Sequence, residues 1–122
     1  MPDREKKKDE LDRLYQTRFS SVPSDERREV WRVLCAAFFQ EFIPGNSRLL
    51  DLGAGDGFLL ENIVAGSRSG CDLRARPEEL DAEVEWFDCS WKELPERTQE
   101  GSFDTVFCSN FLEHLRSKDE LL

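Results

Sequence analysis

Apolar positions change their spacing twice along the chain. Over residues 3–19 they are sparse (Leu11, Leu14, Tyr15 and Phe19 among charges), a helical spacing that predicts a marginal amphipathic arm needing a surface to dock on. Ser20 to Ser24, with Pro23 inside, punctuates the pattern. Ser24 then offers a capping hydroxyl, and Asp25, Glu26 and Glu29 suit the positive first turn of a helix. Val30, Trp31, Leu34, Cys35, Phe38, Phe39, Phe42 and Ile43 recur at a period of about 3.6 residues, one wide stripe expected to pack on a sheet. Pro44-Gly45-Asn46 ends that helix.

From residue 48 the pattern shortens. Arg48 to Leu52 predicts a strand buried on both faces, Gly53 to Gly57 a glycine-rich turn, and Phe58 to Val64 a short helix. Ser69 to Leu73, Val84 to Phe87 and Phe103 to Ser109 read as three more strands. A loop or short helix with Pro77 follows the second strand, and a loop containing Pro95 follows the third. Strands alternating with crossovers predict an α/β fold with a parallel sheet. Ser117-Lys118-Asp119-Glu120 is a capping box, and Leu121 and Leu122 begin an apolar face that the sequence does not continue. The expectation is an N-terminal fragment of a larger domain.

The length, 122 residues, suits one domain, and nine Phe and three Trp can anchor its core. No apolar run is long enough to span a bilayer and no signal peptide is visible, so the expectation is a soluble cytoplasmic protein with no membrane contact. Residues 1–30 carry eight basic and eight acidic side chains, so the net charge of −9 resides wholly in the remainder. That charge disfavours nucleic acid as a partner and suits a cationic small molecule. Cys35, Cys71, Cys89 and Cys108 are widely spaced, without a CxxC pair, and read as buried free thiols in a reducing compartment.

Candidate chemistry centres on Asp51 to Gly57, an acid at a strand end followed by glycines at alternate positions. Such glycines allow positive φ and close approach of backbone to a ligand. A dinucleotide fingerprint needs a small residue at position 58, where this chain has Phe58, so a nicotinamide-type cofactor is disfavoured. Asp72 ends the second strand, placed to accept from a ribose diol, and Asp88 ends the third, placed to meet an adenine amino group. In a parallel sheet these ends, with Ser109-Asn110, converge on one crevice.

Leu49 to Gly57 resembles motif I of the class I S-adenosylmethionine-dependent methyltransferases. Gly70-Cys71-Asp72-Leu73 is similar to that family's second-strand acid, Phe87-Asp88-Cys89 to its adenine-side acid, and Gly101 to Leu115 to its fourth strand and following LEHL segment. The match runs from about residue 30 to the end, in family order. The resemblance implies a Rossmann-like sheet of the methyltransferase type, truncated after the fourth strand, with residues 1–23 as a helical arm and 24–122 as an incomplete S-adenosylmethionine-binding domain. It implies that Asp51 and the backbone of Gly53 and Gly55 hold the methionine end, Asp72 the ribose hydroxyls, and Asp88 with the Cys89 amide the adenine, with Ala54, Gly57 and Leu73 also in the cofactor site. Ser109, Asn110 and Phe111 would lie beside the sulfonium. His114 and Glu113 are candidates for a general base, and Tyr15 and Phe19 for a cover over the cofactor; no metal is implied.

The function so implied is methyl transfer to a small-molecule or glycan-type acceptor, this chain carrying mainly the cofactor half. The alternative is a non-catalytic methyltransferase-like module that binds the cofactor or a partner. The family's sheet order resembles 3-2-1-4-5-7-6, so ending at the fourth strand leaves an apolar edge and a possible dimer through it.

Overall fold

A computed structural model describes residues 24–109. The N-terminal arm, the LEHL segment with Asn110, Glu113 and His114, and the capping box lie outside the described residues. The first helix, α1 (Ser24–Ala37), carries Asp25 and Glu26 in its first turn, where the helix dipole favours negative charge. It does not run on to Ile43 as the stripe predicts. Phe38 leaves helical geometry at φ −135° and ψ −64°, and a 3₁₀ turn follows over Phe39–Glu41. The break turns Phe39 inward, 5.9 Å from the Trp31 ring and 5.0 Å from that of Phe107. Ile43 reaches the core, whereas Val30, Leu34, Phe38 and Phe42 remain exposed, so only part of the stripe packs. The Gln40 side chain closes this corner, donating to the carbonyls of Ile43 and Val64 and accepting from the Val64 amide.

Four strands follow: β1 (Arg48–Leu52), β2 (Ser67–Asp72), β3 (Glu85–Asp88) and β4 (Thr105–Cys108). All pairings are parallel and the order is β3-β2-β1-β4. The short helix α2 (Phe58–Asn62) connects β1 to β2. After β3, a 3₁₀ turn (Trp91–Glu93) leads into α3 (Leu94–Arg97), where a loop was expected; Pro95 sits in its first turn, where a missing amide costs nothing.

Central β1 separates two apolar clusters, because successive side chains point to opposite faces. Leu49 faces Cys35 of α1, Leu59, Leu60 and Ile63 around α2, and Leu80 and Val84. Leu50 faces Cys71, Phe87 and Cys89, with Leu94 and Phe103 at the margin. Gly70 lies opposite Trp86 in register, and a Cβ there would come within 2.8 Å of the indole and 2.9 Å of Leu60. Cys35, Cys71 and Cys89 are buried, but Cys108 is exposed, because β4 is the sheet edge and alternate residues face outward. Its start is fastened to β1 from both sides. The Asp104 amide donates to the Arg48 carbonyl, while the Asp104 carboxylate accepts from the Arg48 amide and guanidinium.

Candidate functional site

The glycine turn joins β1 to α2 at the carboxyl end of the sheet. Gly53, Gly55 and Gly57 all take positive φ (78°, 57° and 77°), which a side chain at those positions would strain. The turn is built onto the end of β2. The amides of Gly53 and Ala54 donate to the Cys71 carbonyl, and the Gly55 amide donates to Asp72 Oδ2 at 2.8 Å. Asp72 Oδ1 accepts from the Arg74 amide at 2.7 Å. Asp72 therefore orients the turn and the chain just beyond its own strand at once.

Asp51, Asp72 and Asp88 stand at the carboxyl ends of β1, β2 and β3, and the period of two places all three on the face that carries α1 and α2. Asp72 and Asp88 are direct register partners. Leu73 is buried behind Asp72, and Asp88 is exposed. The Cys89 amide donates to the carbonyls of Asp72 and Phe87, which fixes the chain as it leaves β3. Ser109 follows Cys108, which pairs with Leu52 beside the turn.

Asp51 has a different character from its neighbours. Its residue is only 4% exposed, and its carboxyl receives no hydrogen bond from the described residues. Burial pushes its pKa up to about 8, and the adjacent Asp72 carboxylate adds to the shift. Burial also raises the Cys35 thiol to about 11 and raises that of Cys108, with Asp51 as the second cause in each.

Two arginines not anticipated from the sequence complete the rim. Arg27 reaches from α1 to Asp56 in the turn at 2.6 Å, and Arg74 lies 3.6 Å from the other Asp56 oxygen. Arg27 and Arg28 also sit over the buried Phe58 ring, at 5.6 and 4.9 Å from its centroid, and Arg28 pairs with Glu61 and Glu79. Phe58 thus has a packing role beneath two guanidiniums. An arginine on a helix's polar face gives no sequence signal of which turn it will meet.

No family model matches the chain, and no curated protein shows a significant match to it. Among the described residues, no group of three or more His, Cys, Asp or Glu side chains could hold a metal ion, and no helix is long and apolar enough to cross a membrane. A cavity of about 380 Å³ lies at the opposite end of the sheet, lined by residues 63–68 and Glu83. It is remote from the glycine turn, and the guanidinium of Arg68 in its lining is already bonded to Asp81 and the Leu60 carbonyl.

Chemically, the carboxyl edge combines a turn of three positive-φ glycines with three acids from separate strands. Such a rim suits a ligand carrying both a cation and vicinal hydroxyls. A phosphate-rich ligand would meet carboxylates instead.

Proposed function

We propose that the chain binds S-adenosylmethionine at the carboxyl edge of its sheet and belongs to a Rossmann-like methyltransferase of the class I type. The strand order β3-β2-β1-β4 supports this reading, since it reproduces the first four positions of that family's sheet. The observation that carries it is the bond from the Gly55 amide to Asp72, which seats a three-glycine turn beside acids at the ends of β1, β2 and β3.

The residues present fit such a cofactor. Asp72, oriented by two backbone amides at the end of β2, stands where a carboxylate can accept from ribose hydroxyls. Asp88 is exposed at the adjacent strand end, where it can accept from an adenine amino group. Asp51, buried with no hydrogen bond from the described residues, fits the ammonium of the amino-acid end. When bound, S-adenosylmethionine supplies an electrophilic methyl group on a sulfonium. Carboxylates close to that cation favour the bound ground state, so these acids serve binding, and transfer depends on alignment of the acceptor in a dry cleft. The acceptor proposed is a small molecule or a glycan-type molecule.

Calorimetric titration with S-adenosylhomocysteine tests the reading. Saturable heat with a dissociation constant of about 1 mM or tighter is expected, and none at that concentration, with circular dichroism showing a folded chain, refutes it. Methyl transfer from a labelled donor separates an enzyme from a non-catalytic binding module.

A further inference from the structure

We infer that Asp51 is a proton-exchange group: protonated in the free protein, it loses its proton to solvent when the ligand's ammonium arrives, so that ligand capture is coupled to pH. The inference rests on the proposed cofactor site and goes beyond it, since a cofactor could be held there with no proton exchanged.

Among the described residues, the elements around Asp51 support this. From β2, Asp72 presents a carboxylate that two backbone amides orient. From α1, the ionisable group that feels Asp51 is the Cys35 thiol; from β4 its register partner is the uncharged Phe107, and the Cys108 thiol on the other face feels it only through the sheet. In the turn, Asp56 is already paired with Arg27 and Arg74. From α2, Glu61 is already paired with Arg28. The charge that acts on Asp51 is therefore negative, and among the described residues no hydrogen-bond donor reaches it. An ionised carboxylate buried beside a second carboxylate, with no donor from the described residues, is costly, so the neutral form prevails until a cation is supplied. The perturbed titration of Asp51 agrees with this placement.

The exchange balances simply. The O–H bond of the Asp51 carboxyl breaks, its proton passes to buffer, and the ligand's ammonium keeps all its N–H bonds and becomes the counter-ion. Two carboxylates in unlike settings thus divide the work: Asp72 accepts hydrogen bonds throughout, and Asp51 changes charge.

The test is calorimetry of the full chain at about pH 7 in buffers of different ionisation enthalpy, where the variation of heat counts protons released. S-adenosylhomocysteine is compared with 5′-methylthioadenosine, which keeps the nucleoside and lacks the amino acid. The expectation is about one proton released with the first ligand and none with the second, and an affinity for the first that rises up to tenfold per pH unit from about pH 6 to 8. Asp51→Asn should bind S-adenosylhomocysteine without proton release and without that slope. Binding of both ligands with no proton released overturns the inference and leaves the cofactor site standing. Binding of neither overturns both. Should Asp51→Asn fail to fold, the comparison of the two ligands on the unaltered chain decides alone.

Discussion

Asp51→Asn preserves the shape of a buried side chain and deletes its titration, so it isolates what that proton does for the fold. The carboxyl is raised to about 8 from an ordinary 3.8, by burial first and Asp72 second. At about 1.4 kcal/mol per pKa unit, the difference of about four units sets an upper bound of about 6 kcal/mol. That is large beside the total stability of a domain, about 5–15 kcal/mol. The sign follows from the raised value: between about pH 4 and 8 the folded chain keeps a proton that the unfolded chain releases. This contribution is complete below about pH 4 and is lost as pH rises through 8. Urea unfolding of both proteins from about pH 5 to 9 measures it, a range in which the Cys35 thiol, raised to about 11, stays neutral. The variant should gain on the unaltered protein by about 2 kcal/mol or more across that range. Parallel curves, with a gap constant to about 0.5 kcal/mol, would refute the argument that Asp51 is neutral when folded.

Asp72→Ala removes an acceptor of two amide bonds as well as a proposed ligand contact, so affinity for S-adenosylhomocysteine should fall roughly 10- to 100-fold, read by calorimetry. Hydrogen exchange at the Gly55 amide should quicken in the same variant, and an unchanged rate would count against the bond. Gly66→Ala would bring a Cβ to 2.5 Å from the Asn46 carbonyl oxygen, a backbone atom that cannot swing aside; a loss of about 1–3 kcal/mol is expected in urea melts. Asp104, held down to about 2 chiefly by hydrogen bonds from Arg48, supports the start of β4 above the ordinary carboxylate pKa and loses that role as pH falls towards 2. Exchange protection of β4 should therefore drop in acid before that of β1, and Asp104→Asn should abolish the difference.

How far the sequence reveals this molecule depends on the range of each interaction. Arg48 to Leu52 is legible as a strand because both its faces are apolar, and the turn after it because alternating glycines have few other uses. Asp72 and Asp88 as strand ends also follow from local pattern. The start of β2 at Ser67 is not legible, since Ser-Arg-Ser carries no apolar signal and is drawn into the sheet by pairing with Arg48 to Leu50. The break at Phe38 is hidden for a similar reason: period alone cannot tell that Phe39 has a partner in Phe107, far along the chain. The same holds at the rim, where the acids are local and Arg27 and Arg74 are contributed by the tertiary fold.

The reach of Arg27 from α1 to Asp56 gives the turn a mechanical tie to an outer helix. Whatever displaces the turn must either drag that helix along or sever the tie. Trp31, one helical turn beyond Arg27 and edge-on to Phe107, would register either event as a change in its fluorescence. The chain thus carries its own optical gauge of what happens at the glycines.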